Sequence, residues 1–155
     1  MQSKEIVKRA IHFKNPPRLP VQMDALGVSD TVFLPYKFPE SFVPSVEGED
    51  EWGCVWHKTE VENMGQVTEF PMEDMSYFCK LPVPDYTDDS RYTDCAEFLD
   101  KAEADGKYVL SGIFMILFER MHTLHGFENT LVDIYQDRAT MEALADQIVD
   151  THITY

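Results

Sequence analysis

Positive charge is scarce in this chain: 13 lysines and arginines stand against 28 aspartates and glutamates, a formal net charge of -15 over 155 residues. Phosphates and anionic headgroups are held by clustered Lys and Arg, so nucleic-acid binding and attraction to an anionic membrane surface are disfavoured. The longest concentration of basic residues, Lys4, Lys8, Arg9, Lys14 and Arg18, falls on and just after a first helix, where it reads as a solvated face. Cysteine is sparse too. Cys54, Cys79 and Cys95 are odd in number and far apart, which argues against a disulfide framework and for a reducing compartment, the cytoplasm by default. No apolar run approaches the roughly 18 residues of a membrane span, and the N-terminus reads as an amphipathic helix rather than a signal-peptide core. The sequence also lacks a Gly-rich phosphate loop, a G-x-G-x-x-G fingerprint and a Ser/His/Asp nucleophile motif, which disfavours phosphate and dinucleotide chemistry.

What is present reads as alternating helix and strand. Ser3 is placed to cap a helix with an apolar stripe of Ile6, Val7, Ala10 and Ile11, ending before Asn15-Pro16-Pro17. Arg18 to Met23 then predicts a first strand, with Asp24 at its end, and the proline-containing stretch 28–49 an ordered but irregular excursion. Asp50 to Glu60 alternates as a strand, Trp52, Cys54 and Trp56 sharing a face, with Gln66 to Phe70 as its hairpin partner across Asn63-Met64-Gly65. Arg91 to Asp105 resumes helical spacing and Gly106 is a good stop. Gly106 to Ile113 predicts a buried strand that runs directly into a helix over Phe114 to His125. A further helix carries Met141, Leu144, Ala145, Ile148, Val149 and His152. A strand feeding a helix is half of a βαβ unit, and with no second strand after it the pattern predicts the N-terminal part of a larger α/β fold.

Two spacings are compatible with a metal, Cys54-x-x-His57 and His122-x-x-His125. Alternation along a strand sends Cys54 and His57 to opposite faces, and no third ligand is marked beside His122 and His125, so no metal site is expected within this chain. Trp52 and Trp56 read as packing residues. Glu119 and Arg120 are expected to pin their helix to a following loop, Phe127-Glu128-Asn129. Phe114, Met115 and Phe118 read as apolar lining or core.

The order of several short blocks resembles the uroporphyrinogen decarboxylase superfamily. They are Lys4-Glu5-Ile6-Val7-Lys8-Arg9-Ala10 with Arg18-Leu19-Pro20-Val21; Asp50-Glu51-Trp52-Gly53-Cys54-Val55-Trp56; and Gly112-Ile113, Leu117-Phe118-Glu119-Arg120, Gly126-Phe127-Glu128-Asn129 and Asp133-Ile134-Tyr135. The resemblance implies an α/β fold, the N-terminal part of a (β/α)8 TIM-type barrel with an N-terminal helix and an inserted β-hairpin, residues 1–155 forming a single partial domain. Decarboxylases of that family carry an arginine-rich loop after the first strand, suited to the carboxylates of a tetrapyrrole. Gln22 to Val28 has no arginine, and Asp24 would repel such a substrate. The Asp-Glu-Trp-Gly and Phe-Glu-Arg wording is more similar to the corrinoid-dependent methyltransferase branch. Those enzymes use zinc, bound by a His-x-Cys and a later Cys, to lower the pKa of a thiol that attacks a cobalt-bound methyl group. This chain has no His-x-Cys.

The resemblance therefore implies zinc and a corrinoid partner for a full-length enzyme, a small-molecule substrate or a corrinoid protein as partner, and an inactive 155-residue chain by itself. Barrel enzymes place their chemistry at the strand ends, which makes Asp24 and Phe114 substrate-facing candidates. Phe118 joins them as lining, and His122 by its nearness to the position of the family's pyrrole-contacting tyrosine. Asp24 has a rival reading as a turn or cap residue. Two alternatives stand beside methyl transfer: uroporphyrinogen decarboxylation in heme biosynthesis, and a non-catalytic half-barrel. An open parallel sheet leaves apolar faces and unpaired edges to cover, so the half-barrel would act through a homodimer or a partner.

Overall fold

The structure is a computed structural model that describes residues 1–58, 60 and 65–155. In chain order its elements are α1 (Ser3–Ile11), β1 (Gln22–Met23), β2 (Val28–Ser29), β3 (Thr31–Phe33), β4 (Val55–His57), β5 (Gln66–Glu69), α2 (Cys95–Ala104), β6 (Tyr108–Leu110), α3 (Phe118–His125), α4 (Phe127–Gln136) and α5 (Arg138–His152). Helix and strand are thus mixed, and the described strands form three two-stranded sheets. No helix among the described residues is long and apolar enough to cross a membrane. The chain divides into two compact units, Met1–Lys37 with Asp89–Gly112, and Phe38–Asp88 with Ile113–Tyr155.

The first unit holds the one parallel pair among the described strands, β3 with β6, in the register Thr31 to Tyr108, Val32 to Val109 and Phe33 to Leu110. The Leu34 amide extends the ladder to the Leu110 carbonyl at 2.8 Å. Helix α2 immediately precedes β6, and Gly106 turns the chain between them with φ +65°, a left-handed conformation that suits glycine. A side chain there would press on Gln2, because the Gly106 carbonyl receives the Lys4 amide at 2.8 Å and holds the start of α1 close. Ile6 and Val7 are the buried residues of α1.

Three expectations for this unit are corrected. Ser3 is not the cap of α1; Gln2 is, without a side-chain bond, and the Ser3 hydroxyl serves the carboxylate of Asp30. The strand expected over Arg18 to Met23 shrinks to Gln22–Met23 and pairs antiparallel with β2, because Pro20 supplies no amide donor and the Val21 amide is taken by Asp30 Oδ2 at 2.9 Å. The parallel strand lies instead at Thr31–Phe33, inside the stretch expected to be irregular. Asp30, which immediately precedes it, is buried and accepts both Arg18 guanidinium nitrogens, at 2.5 and 2.7 Å. The Arg18 guanidinium holds the Asp30 carboxyl far below the usual carboxylate range, with the Ser3 and Val21 donors acting the same way. A depressed carboxyl stabilises the fold above its unfolded pKa, and that contribution disappears only as acid pulls the pH down through the folded value.

The second unit contains the hydrophobic core: Trp52, Cys54, Met72, Leu81, Met121, Leu124, Met141, Leu144 and Ile148. The expected hairpin forms as antiparallel β4 and β5, with a register irregularity between Val55 and Trp56, but its first strand begins at Val55 rather than Asp50, because the Gly53 amide closes a turn on the Asp50 carbonyl and takes Trp52 out of the strand; Asn63 and Met64 of its turn lie outside the described residues. The helix expected from Phe114 begins at Phe118, since Met115 has φ +61°, a left-handed conformation that cannot continue a right-handed helix. The expected Phe127-Glu128-Asn129 loop is the first turn of α4. Gly126 alone joins α3 to α4, at φ +88°, with the Thr130 hydroxyl on its carbonyl at 2.7 Å and the Asn129 amide group on the His125 carbonyl at 3.1 Å. Along α5 the buried stripe is Met141, Leu144, Ile148, Thr151 and His152, close to the predicted spacing.

Candidate functional site

The Asp50-Glu51-Trp52-Gly53-Cys54 block folds as a tight turn, closed by the Gly53 amide on the Asp50 carbonyl at 2.8 Å. Its organising group is the Asp50 carboxylate. Oδ1 accepts the Trp52 amide at 3.0 Å and the Cys54 amide at 2.9 Å, while Oδ2 accepts Trp56 Nε1 at 2.9 Å and Arg120 Nη1 at 3.2 Å. The buried Arg120 guanidinium lies 5.3 Å from the Trp52 ring centre, where the negative face of the indole attracts it. Arg120 therefore pins α3 to this turn, not to the residues that follow the helix as the sequence suggested. Trp52 is buried and Trp56 partly so, in keeping with packing roles.

Cys54 and His152 complete the cluster. The Cys54 thiol donates to the Thr123 carbonyl at 3.1 Å, and burial, aided by the Asp50 charge, pushes its pKa up to about 12. A thiol so protonated is neither a nucleophile nor a ready metal ligand. The His152 ring meets Trp52 edge-on at 5.7 Å and lies 6.1 Å from the Tyr86 ring. Neither of its buried ring nitrogens, nor Arg120 Nε, makes a hydrogen bond of ordinary geometry among the described residues. Burial lowers the His152 pKa; the Ile116 backbone opposes this and the Arg120 charge adds to it. The cluster is a polar core whose thiol and imidazole are both held neutral.

That arrangement gives a pH prediction. The unfolded chain takes up the His152 proton before the folded one does, so stability falls as the pH drops below about 6.5, the ordinary histidine value. In His152→Phe this share of the loss disappears, and thermal melting compared between neutral and mildly acidic buffer shows a smaller fall than in the parent. Equal falls in both proteins would remove His152 from the account.

Among the substrate-facing candidates, the structure brings Phe118 and His122 together and adds Phe127, absent from the expected set. Their rings meet edge-to-face with centroids 5.5 Å (Phe118–His122), 5.6 Å (His122–Phe127) and 6.2 Å (Phe118–Phe127) apart. Phe114 is exposed, beside the left-handed Met115. Asp24 belongs to the first unit and does not end a strand that faces a mouth. It opens a 3-10 turn over Asp24–Leu26, its carbonyl accepts the Gly27 amide at 2.9 Å and its carboxylate accepts the Ser29 hydroxyl, which are the bonds of a turn residue.

His122 and His125 do not converge on a metal. His125 is buried with Nδ1 on the Met72 carbonyl at 2.5 Å and Nε2 on Asp133 at 2.8 Å, so both nitrogens are engaged. His57 is exposed while Cys54 is fully buried. Among the described residues no group of three or more His, Cys, Asp or Glu is placed to hold a metal ion, and the donors present do not fit the zinc that the resemblance implies. Elsewhere in the unit an open cleft of about 630 Å³ is lined by Asp85, Asp146 and Asp150 with the hydroxyl residues Thr87, Thr151 and Thr154. Compared with models of known families, with curated proteins and with solved structures, the chain matches none.

Proposed function

We propose that the chain is a uroporphyrinogen decarboxylase-like α/β protein, the N-terminal part of a (β/α)8 barrel, related to zinc-dependent methyl transfer between a corrinoid and a thiol. The observation that carries this reading is the parallel register of Thr31–Phe33 with Tyr108–Leu110, reached through a crossover that includes α2, since parallel pairing with a helical crossover is the unit from which such barrels are built. The ordered blocks from Lys4 to Tyr135 supply the family and favour its methyltransferase branch. In this reading Phe114, Phe118 and His122 face a small-molecule substrate or a corrinoid partner in the cytoplasm. No step is assigned to zinc, because the described donors do not form its site.

Equilibrium dialysis against two ligands tests the branch. Uroporphyrin, a polycarboxylate, is expected not to bind a chain of net charge -15 with no arginine between Gln22 and Val28, whereas methylcobalamin is expected to be retained saturably. Retention of uroporphyrin instead would move the protein to the decarboxylase branch. Retention of neither would overturn the methyl-transfer reading.

A further inference from the structure

His152 is where several parts of the second unit meet. Its ring is 9% exposed, lies edge-on to Trp52 at 5.7 Å and rests 6.1 Å from the ring of Tyr86, which in turn meets Tyr155 edge-on at 5.6 Å. These ring contacts fasten the segment around Tyr86 to the last turn of α5. The same two stretches of chain form the open cleft of about 630 Å³, with Pro84, Asp85 and Thr87 contributed by one and Asp150, Thr151 and Thr154 by the other. What holds the rings together therefore also holds the walls of the cleft.

A fastening built on histidine differs from one built on phenylalanine, because its ring takes up a proton in mildly acid conditions. The titratable and charged groups of the elements around it are Asp50 and Glu51 of the Trp52 turn, Asp85 and Tyr86 of the packed segment, Arg120 of α3, and Asp150 and Tyr155 along its own stretch of chain. Asp50 already accepts Arg120, Trp56 Nε1 and two amides, and Asp85 accepts the Thr87 amide and hydroxyl at 2.8 and 2.6 Å. Neither ring nitrogen of His152 makes a hydrogen bond of ordinary geometry among the described residues. A proton gained in place would be buried beside the Arg120 charge, with the Ile116 backbone favouring it. Burying such a charge is costly, water removes the cost, and helix ends are among the parts of a fold that open most readily. We infer that His152 is a proton-operated fastening: once protonated, its ring leaves Trp52 and Tyr86, the last turn of α5 and the segment around Tyr86 separate, and the cleft between them loses its walls while the rest of the core stays closed. The charge change at one ring thus biases one two-state element. This device does not depend on the methyl-transfer reading.

Hydrogen exchange of the whole chain, read by mass spectrometry at neutral pH and at about pH 5.5, a unit below the ordinary histidine value, tests this once the rates are corrected for the intrinsic pH dependence of exchange. Amides of residues 151–155 and 85–88 should exchange several times faster at the lower pH, up to about tenfold. Those of Leu144 and Ile148 should change much less. His152→Phe keeps an aromatic ring in place with no proton to gain and should hold both segments near their neutral rates; His152→Leu repeats the test if the larger ring does not fit. Asp85, Asp146 and Asp150 still titrate in both variants, so acceleration that survives the substitutions would belong to those carboxylates and overturn the inference. Equal acceleration at Leu144 and Ile148 would overturn it too, as the mark of global unfolding, and so would no acceleration in the parent.

Discussion

Asp50→Ala lowers the unfolding free energy by about 3–5 kcal/mol, the cost of leaving a buried charge without its partner. The stranded charge is Arg120, 8% exposed, whose Nη1 has the Asp50 carboxylate as its ion-pair partner. The substitution also removes the acceptor for two backbone amides and for Trp56 Nε1, so the turn that carries Trp52 keeps its backbone closure but loses its side-chain bonds in the same step. Chemical denaturation followed by tryptophan emission measures the loss directly, as Trp52 and Trp56 are the two indoles of the chain. Asp50→Asn keeps acceptor capacity without the charge and should fall between parent and alanine variant. Combining Asp50→Asn with Arg120→Met should recover part of the loss, because an apolar replacement no longer leaves a charge behind. A loss below about 1 kcal/mol for Asp50→Ala would mean that the pair behaves as a solvent-screened one.

Leu144→Ala should destabilise by about 2–5 kcal/mol through lost burial and the cavity left behind. Leu144 is fully buried on α5, in one cluster with Leu124 of α3, Ile148 and the Trp52 turn. The matched comparison is Leu131→Ala on α4, the same atoms removed from a half-exposed position, where the change should stay within about 0.5 kcal/mol. Comparable losses at both sites would mean that something covers α4 in solution.

The contrast between those two leucines shows what spacing can and cannot reveal. Met141, Leu144, Ile148 and His152 specify a helix and its buried side, and α5 presents that side to the core. Phe127, Leu131, Ile134 and Tyr135 of α4 specify a face equally well, but period alone does not say what covers it. Thr31–Phe33 is too short to show alternation, and its partner β6 lies far along the chain, so no local pattern marks it. The start of α3 depends on one left-handed residue, Met115, a backbone choice that side-chain periodicity does not record. Asp50 stands in a short acidic and aromatic block of the sequence, yet its four donors are two backbone amides and two side chains, one of them on Arg120, 70 residues away. The aromatic contact of Phe118 and His122 extends to Phe127 only because Gly126 folds α4 back within a single residue, and that glycine looked like one letter of a motif.

Both compact units are assembled from separated stretches of chain, and the stretches alternate: 1–37 and 89–112 form one unit, 38–88 and 113–155 the other. Synthesis is vectorial, so the first unit can close as soon as Gly112 has left the ribosome. At that moment Trp52, Cys54, Met72 and Leu81 have long emerged, while Leu124, Leu144 and Ile148, which complete their core, have yet to emerge. For the time needed to bring those residues out, a few seconds at about 5–20 residues per second, half of a hydrophobic core waits in water. This interval, rather than the finished fold, is when the nascent chain is most open to aggregation and to chaperone capture.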